Sequence, residues 1–468
     1  MSSVEKRRAE RRSASGSATT RLRPIIVIWL LFTAFAATIL FGAVDPISTG
    51  LLAIAAAVTL LLWVAESWKS AQLAINLDEL YLPIVGLIVI GIIQMLPLRG
   101  DPATQGLLSI PLSSSLSLDP HATRMFTVRL VIMLVFFAAA STFIDSKKKI
   151  VNCALAIVVF GAAMAFFAIL QRMSGTDAIY GLRRSAQAIA FGPFVNQHHF
   201  AAFMVMTSGL TLGMLIGRGV AREWRLFLAI AAVLMGIGVI FTGSRGGLLS
   251  YGGVIAVTAL LSYLKLRDSD RGESRVGRMA ALAGGAAMFV SVIAVAFFLG
   301  AGEALFRGLG PDQSDITSGR SHFWGVAWQI FTDHPFIGAG FDAFGVAFTR
   351  YDTWAGIYRI EQAHNDYLQT LADGGVLAFV CIAAFIYLFA RKSLTAIARS
   401  TDEMRTNVAI GAFAGCVGIM IHSIFDFPLR TPSNSIFFLL LVVLACAWVE
   451  KEGGPSKRRR KSRAVSEL

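Results

Sequence analysis

The chain has 468 residues, of which 55% are hydrophobic and only 15% are charged. Because soluble domains carry about 25% charged residues, this composition excludes an ordinary soluble protein and indicates a membrane protein. The formal net charge is +13, but basic runs lie beside apolar segments, so we expect membrane lipids and no nucleic acid as their partners.

Apolar runs of about twenty residues, the length that crosses a bilayer core, recur along the chain. A basic arm at 1–23 precedes them and a basic tail at 450–468 follows them, both predicted to be cytoplasmic. We predict about twelve spans, at 24–44, 47–66, 79–97, 123–144, 150–171, 198–217, 225–241, 247–264, 279–299, 375–391, 407–427 and 433–449. The predicted fold class is therefore all-α, a polytopic membrane helical bundle, with helices 1–9 in 24–299 and helices 10–12 in 375–449.

The distribution of basic residues predicts how these spans are oriented. With both termini in the cytoplasm, the cytoplasmic segments hold 30 of the 42 lysines and arginines, as the positive-inside rule expects. The other 12 are all arginine, which is the better bidentate partner for phosphate and carboxylate groups.

One loop, at 300–374, is longer than the others and is predicted to lie on the outer face. Within it, Ser318 to Asp333 has the pattern of an amphipathic helix that would lie in the membrane interface. Gly338 and Gly340 predict a turn after this helix, and Phe341 to Trp354 predict a second short helix.

The end of this loop combines ionisable and amide side chains directly before an apolar span. It contains Arg359, Glu361, His364, Asn365, Asp366 and Asp373. Asn365 and Asp366 also fit the start of a helix, with Asn365 as N-cap and Asp366 favoured by the helix dipole. That explanation does not cover Glu361 or His364, which are candidates for general acid–base chemistry.

Two arginines on the outer face lie where helices are predicted to begin. Arg245 lies in T-G-S-R-G-G, residues 242–247, whose glycines let backbone N–H groups approach an anion. This stretch is neither a Walker A loop nor a nucleophile elbow, and a tight turn with a snorkelling arginine is the alternative. Arg320 lies in S-G-R-S, residues 318–321, where a phosphate would meet a helix N-terminus.

A further stretch, F-V-N-Q-H-H-F at 194–200, follows Arg184 and contains Asn196. Its adjacent histidines, His198 and His199, would point about 100° apart on a helix, which makes them poor co-ligands for one metal ion.

The last stretch, H-S-I-F-D-F-P at 422–428, places His422 and Asp426 four residues apart, on one predicted helix face near the outer end of a span. Ionisable groups at that depth usually face the bundle interior and pair, so a structural hydrogen bond explains them as well as catalysis does.

No metal or other cofactor is predicted. Glu361, His364 and Asp366 would supply two or three ligands, but no H-x-x-x-H motif or Cys/His set supports them. The four cysteines fall inside predicted spans and have the character of small buried apolar residues.

The arrangement as a whole predicts glycosyl transfer with a lipid diphosphate as the leaving group. Arginines on the outer face of a bundle suit a lipid-linked diphosphate whose tail lies between helices. A histidine or carboxylate beside them suits removal of a proton from an incoming hydroxyl.

The sequence also resembles the O-antigen ligase and polysaccharide polymerase family of bacterial inner-membrane proteins. The resemblance covers roughly residues 190–445, and F-V-N-Q-H-H-F is similar to the family's F-x-N-x-N-x-x-A pattern, although His198 stands where a second asparagine is common. The stretches that carry it are G-S-R-G-G (243–247), S-G-R-S-H-F-W (318–324), H-P-F-I-G-A-G-F-D-A-F (334–344), E-Q-A-H-N-D-Y-L-Q-T-L-A-D-G-G (361–375) and H-S-I-F-D-F-P (422–428).

The resemblance implies a membrane-embedded glycosyltransferase that works without metal. It would take a glycan from undecaprenyl diphosphate on the periplasmic side of the inner membrane and pass it to a hydroxyl of a glycan, a lipid A core or a protein. Arg245 and Arg320, helped by Arg184, would hold the diphosphate, and His364 would be the base, with Glu361 as second choice. The other residues assigned to substrate binding are Asn196, Arg359, Asn365, Asp366, His422 and Asp426.

A twelve-helix transporter or flippase of lipid-linked sugars is the alternative function. A transporter needs a polar path across the bilayer, whereas an enzyme needs Arg245, Arg320 and His364 in one cavity. The absence of an evident repeat and the clustering of ionisable residues at the outer face favour the enzyme.

Overall fold

The protein is an all-α membrane protein, as the sequence predicts. The computed structural model describes residues 21–99, 114–176, 178–185, 188–217, 220–267, 319–354 and 360–447, together with residues 290 and 294. The described helices are α1 (Leu22–Ile39), α2 (Pro46–Ser70), α3 (Tyr81–Gln94), α4 (Pro120–Phe143), α5 (Lys147–Met173), α6 (Gln197–Ile216), α7 (Arg222–Phe241), α8 (Arg245–Arg267), α9 (Arg320–Asp333), α10 (Phe344–Tyr351), α11 (Asp366–Arg399), α12 (Glu403–His422) and α13 (Pro432–Cys446).

Short elements join these helices. Two 3-10 turns cover Phe41–Ala43 and Pro428–Arg430. Between α5 and α6, β1 (Ala178–Ile179) pairs antiparallel with β2 (Arg183–Arg184) and forms a small hairpin.

Eleven of the twelve predicted spans coincide with a helix. Within the described residues, nine helices are long and apolar enough to cross a membrane, and α3 and α13 are shorter apolar helices. The predicted ninth span, 279–299, lies outside the described residues except for positions 290 and 294, and so do residues 1–20 and the tail 450–468.

Capping residues in the sequence determine where several helices begin. Asp119, Asn196 and Asp402 each accept a hydrogen bond from a backbone N–H in the first turn of α4, α6 and α12, at 2.8–2.9 Å. Asn365 caps α11 by accepting from two first-turn N–H groups, both at 3.0 Å. The helix-start explanation of Asn365 is therefore confirmed.

The antiparallel helices α6 and α12 form the centre of the bundle, and their backbones touch. A Cβ on Gly209 would lie 2.5 Å from the backbone nitrogen of Gly415, and a Cβ on Gly213 would lie 2.5 Å from Cα of Gly411. Small residues permit such close packing between membrane helices. The contact fixes the start of α6 beside the end of α12.

The helix predicted at 375–391 begins earlier, at Asp366, and is broken at Gly375. Gly375 has φ 64° and ψ −167°, a conformation that favours glycine. A Cβ at this position would lie 2.3 Å from the carbonyl carbon of Phe336. The break therefore depends on glycine for both conformation and space.

The segment 334–344 fills this break and pairs with the backbone groups that the break exposes. The N–H of Val376 donates to the carbonyl of Pro335 at 2.8 Å, and the N–H of Ala339 donates to the carbonyl of Ala372 at 2.8 Å. Buried backbone groups need such partners, so the loop segment and the broken helix form one unit.

The two short helices predicted in the long loop are confirmed as α9 and α10. The apolar face of α9 packs against α10 and α11 and buries Phe323, Val326, Ala327 and Ile330. Trp328 remains 53% exposed. The first part of the loop, 300–318, lies outside the described residues.

The helix predicted at 407–427 ends at His422, and the residues after it form a turn. Asp426 lies in this turn. The expectation that His422 and Asp426 share one helix face is therefore corrected, because the chain leaves the helix between them.

Candidate functional site

The buried carboxylate of Asp426 is the centre of a charged group at one end of the bundle. Arg320 Nη2 lies 3.5 Å from its Oδ2, while His364 Nδ1 and His199 Nε2 lie 3.4 and 3.9 Å from its Oδ1. The side chain of Asp426 is only 1% exposed. Four segments that are distant in sequence therefore meet here. The turn after α12 carries the carboxylate, and the start of α9, the loop end before α11 and the first turn of α6 each bring one side chain to it.

The ionisation state of Asp426 follows from these contacts. Burial alone would raise the pKa of this carboxyl group. Contact with His364 and the neighbouring imidazoles of His198 and His199 outweigh burial and hold the pKa of Asp426 well below its usual value. Asp426 is therefore ionised at neutral pH and can stabilise a positive charge on the side chains around it.

His364 is held in a defined orientation. Its backbone has φ 52°, the left-handed conformation that non-glycine residues seldom adopt. Phe323 and Phe427 pack on the imidazole, with ring centroids 6.0 and 4.9 Å away. The Nδ1 atom is shielded from solvent, yet the side chain is 28% exposed, so the accessible part of the ring lies away from Asp426.

Arg245 is the first residue of α8 and follows a capped turn. Ser244 Oγ accepts a hydrogen bond from the N–H of Gly247 at 3.1 Å. Gly246 packs on the turn after α12, where its Cβ would lie 2.9 Å from Cβ of Phe425. The glycines around Arg245 thus allow the start of α8 to approach the segment that carries Asp426.

Two of the selected arginines, Arg245 and Arg320, share one neighbourhood with His364. His198, in the first turn of α6, lies within electrostatic range of Asp426, Arg320, His364 and Arg245. The structure therefore brings together two guanidinium groups, one carboxylate and a partly accessible imidazole.

A second charged cluster surrounds Arg430, which the sequence did not lead us to select. Its Nη1 and Nη2 atoms donate to Asp342 Oδ1 and Asp373 Oδ2, both at 2.8 Å, and its Nε lies 3.8 Å from Asp366 Oδ1. The guanidinium also lies over the ring of Phe126, 5.3 Å from the centroid. Burial alone would lower the pKa of Arg430, but the three carboxylates raise it.

Hydrogen bonds connect this cluster to the backbone beside His364. Gln362 Nε2 donates to Asp342 Oδ1 at 3.2 Å, and Gln369 Nε2 donates to Gln362 Oε1 at 2.5 Å. Gln369 Oε1 in turn accepts from the N–H of Ala363 at 2.8 Å. The strained backbone of His364 is therefore supported by a network that begins at Arg430.

The other selected residues of the loop end and of α12 differ in exposure and in hydrogen-bond partners. Glu361 is exposed and lies against α10, with Oε2 2.4 Å from the position a Cβ on Gly345 would take. Asp366 accepts from Ser423 Oγ at 2.9 Å. His422 is buried at the end of α12. The carboxylate of Asp426, which is distant in sequence, faces His364 at 3.4 Å.

Three other residues were predicted to bind substrate. Asn196 is the N-cap of α6. Arg184 lines a separate cavity beside the end of α5. Arg359 lies outside the described residues.

Within the described ranges, no group of three or more His, Cys, Asp or Glu side chains is arranged to hold a metal ion. The ionisable side chains described at this site are arginines, one carboxylate and imidazoles.

Comparison with known proteins points to the same region of the chain. Residues 230–383 match the family model Wzy_C, described as O-antigen ligase. The matched range contains Arg245, Arg320 and His364, whereas Asp426 follows it. No curated protein matches the chain.

Proposed function

The chain belongs to the O-antigen ligase family, and from this premise we propose that it is a glycosyltransferase of the ligase or polysaccharide polymerase type. It moves a glycan from an undecaprenyl-diphosphate donor to an acceptor hydroxyl on the periplasmic side of the bacterial inner membrane. The observation that carries the proposal is the grouping of Arg320 and His364 around Asp426, with Arg245 within electrostatic range of the neighbouring His198.

The two arginines bind the diphosphate of the donor. Guanidinium groups form charge-assisted, bidentate hydrogen bonds with phosphate oxygens. As the bond between the anomeric carbon and the diphosphate breaks, the leaving oxygen takes the electron pair. Arg245 and Arg320 stabilise the charge that develops there, so the departure needs no metal and little help from an acid.

His364 acts on the acceptor hydroxyl. Its Nδ1 faces Asp426 at 3.4 Å, which leaves Nε2 to accept the hydroxyl proton while the hydroxyl oxygen attacks the anomeric carbon. The carboxylate of Asp426 stabilises the imidazolium that forms. Glu361, exposed on the same stretch of loop, is the second choice for the base.

The position of these groups favours an enzyme over the alternative transporter. A transporter places its polar groups along a path through the bilayer. Here Arg245, Arg320 and His364 gather at one end of the bundle, beside the first turn of α6 and the turn after α12.

The proposal is tested with purified protein, a lipid-linked glycan donor and an acceptor, in excess EDTA. We expect transfer to proceed without metal, and Arg245→Lys to lower it about 10- to 100-fold, because lysine keeps the charge but loses the bidentate fork. Near wild-type turnover by Arg245→Lys would contradict the role of the fork, and loss of activity that Mg²⁺ restores would contradict metal independence.

The glycans of a deletion strain distinguish the two activities. Chains that remain on the lipid carrier indicate a ligase, and unpolymerised repeat units indicate a polymerase. Unchanged surface glycans would argue against both.

A further inference from the structure

Arg430 is the buried arginine of the second charged cluster, and the mechanism proposed above does not use it. Its side chain is only 11% exposed. A buried charge needs partners of opposite sign, and here three carboxylates, those of Asp342, Asp366 and Asp373, surround the guanidinium. Two of these carboxylates continue into separate hydrogen-bond chains, each of which leads to the proposed active site.

The first connection runs from Asp342 to the residue before His364. Asp342 Oδ1 accepts from Gln362 Nε2 at 3.2 Å as well as from the guanidinium. Gln362 accepts in turn from Gln369, a fully buried side chain of α11. Gln369 Oε1 accepts the N–H of Ala363 at 2.8 Å. This chain therefore fixes the backbone next to the position where His364 adopts its left-handed conformation.

The second connection runs from Asp366 to the turn that carries Asp426. Asp366 Oδ1 lies 3.8 Å from Arg430 Nε. Its Oδ2 accepts from Ser423 Oγ at 2.9 Å, and its backbone N–H donates to the carbonyl of Ser423 at 2.9 Å. Two hydrogen bonds between the same two residues fix Ser423, which is the first residue of the turn after α12.

The contact between His364 and Asp426 needs such support because neither residue lies in a helix. His364 precedes α11 and Asp426 follows α12, so helix geometry does not fix the 3.4 Å between Nδ1 and Oδ1. Arg430 also holds the turn directly, since its N–H donates to the carbonyl of Phe427 at 3.1 Å. One buried guanidinium is thus linked to the backbone on both sides of the contact.

We propose that Arg430 is a positioning residue that sets the separation of His364 from Asp426. It acts through the two connections, by holding Asp342 and Asp366 at fixed places around one planar guanidinium. The inference rests on the proposed function in one respect, that His364 acts on the acceptor hydroxyl. A displacement of about 1 Å at a reacting group lowers the rate about 10²-fold, so Arg430 affects transfer without touching the substrate.

The first test replaces Arg430 with lysine, which keeps the charge but has a single nitrogen in place of the fork that reaches three carboxylates. We expect Arg430→Lys to lower kcat about 10- to 100-fold and to leave donor affinity nearly unchanged, because Arg245 and Arg320 remain. Near wild-type kcat would overturn the proposal. So would an equal loss of kcat and of donor affinity, since general disruption of the site affects both.

Two further variants interrupt the connections one at a time, and they decide the question if Arg430→Lys does not fold. Gln369→Met removes the acceptor of the first connection, and Ser423→Ala removes the side-chain donor of the second. Each should lower kcat by up to about tenfold, the effect of one hydrogen bond, with donor affinity nearly unchanged. Wild-type kcat in both variants would contradict the proposal.

Tyr367→Phe is the matched control for Ser423→Ala. It removes a hydrogen bond between α11 and α12, the helices that the second connection joins, from Tyr367 Oη to the carbonyl of Met420 at 2.9 Å. It leaves both connections intact, so kcat should not change. A loss of kcat as large as that in Ser423→Ala would mean that any contact between these helices has the same effect, and would overturn the specific role of the network.

The His364→Ala background distinguishes a positioning role from a merely structural one. If Arg430 acts through His364, adding Arg430→Lys to His364→Ala should lower the residual transfer less than about twofold, because the group that Arg430 positions is already absent. A further loss as large as the one that Arg430→Lys causes in the wild-type protein would overturn the proposal.

Hydrogen exchange tests the network without turnover. The N–H groups of Ala363 and Asp366 are bonded to Gln369 Oε1 and to the carbonyl of Ser423, so we expect both to exchange faster in Arg430→Lys than in wild type. Unchanged exchange would contradict positioning by Arg430, whatever the reaction is. Faster exchange in a protein whose wild type transfers no glycan would support the network and contradict the proposed function alone.

Discussion

Arg320 and His364 both depend on one carboxylate, that of Asp426, at 3.5 and 3.4 Å. A diphosphate bound by Arg320 would compete with Asp426 for the guanidinium. When the guanidinium turns to the diphosphate, Asp426 interacts mainly with His364. We therefore expect donor binding to strengthen the contact that orients His364, which would link the two halves of the reaction.

Replacement of His364 tests its role in the acceptor step. We expect His364→Ala to lower transfer about 10²- to 10⁴-fold, the usual contribution of a general base, and to leave donor affinity nearly unchanged because both arginines remain. His364→Gln should retain slightly more activity by orienting the hydroxyl. If donor affinity falls as far as transfer does, His364 supports structure or phosphate binding and is not the base.

The low pKa of Asp426 predicts how stability depends on pH. A carboxylate whose pKa is lowered by folding stabilises the protein above its unfolded pKa of about 3.9, and this contribution is lost only as pH falls through the folded pKa. Asp426 therefore stays ionised between about pH 5 and pH 8. The carboxyl bands assigned to Asp426 by infrared difference spectra between wild type and Asp426→Asn should show no protonation over this range. A carboxylic acid band of Asp426 that grows between pH 8 and pH 5 would mean that Asp426 titrates there.

Sequence reasoning identified several of these residues but not their partners. Arg245, Arg320, His364 and Asp426 stand out because charged groups beside membrane spans are costly unless they are paired or used. Their pairing depends on tertiary contacts between distant segments. Arg430 is a residue that the sequence pattern could not identify, because it is a single arginine after the H-S-I-F-D-F-P motif. Its partner Asp342 lies 88 positions away in the sequence.

Helix α11 contains Asp366 and Asp373 before its break at Gly375, and its longer part after the break crosses the bundle. The sequence analysis placed the loop at 300–374 and the span at 375–391, and gave a helix start at Asn365 as the alternative explanation of Asn365 and Asp366. Residues 366–374 are nevertheless helical. They fold because segment 334–344 covers them and pairs with their backbone groups, a long-range contact that local patterns do not reveal.

Gly375 tests whether the break is needed. Gly375→Ala should destabilise the protein by about 1–3 kcal/mol from backbone strain alone. The new Cβ would also lie 2.3 Å from the carbonyl carbon of Phe336, which adds a steric cost. Transfer should fall with it, since the unit that supports His364 is disturbed. The measurements are thermal unfolding and transfer activity.

Gly252 in α8 provides the matched control. A Cβ at Gly252 would meet nothing within 4 Å, so Gly252→Ala should be neutral or stabilising by up to about 1 kcal/mol. Equal effects of the two alanine substitutions would show that the break in α11 is not required.

At the scale of the whole molecule, the helices agree with the predicted spans, whereas the orientation of the bundle remains a prediction from charge. The cytoplasmic segments were assigned 30 of the 42 lysines and arginines. A periplasmic active site requires that the ends of α7 and α12 face away from the cytoplasm. The uneven distribution of lysines and arginines predicts this orientation, because basic residues near the span ends determine which side of the membrane a loop occupies.

Reporter fusions test this orientation directly. A reporter inserted at Gly310 and another at the C-terminus should give opposite signals, periplasmic for the first and cytoplasmic for the second. A reporter in the segment between α5 and α6 should match the first. The same signal from Gly310 and the C-terminus would refute the predicted orientation and move the site to the other face.

The contact between α6 and α12 limits the route by which a lipid-linked substrate can arrive. Helices whose backbones meet at Gly209 and Gly415 leave no gap for a hydrocarbon chain. The seam between them leads to His199 and Asp426, but it is a closed wall. Under the proposed function, the lipid tail of the donor would enter from another side of the bundle, so these glycines close one lateral route from the bilayer to the site.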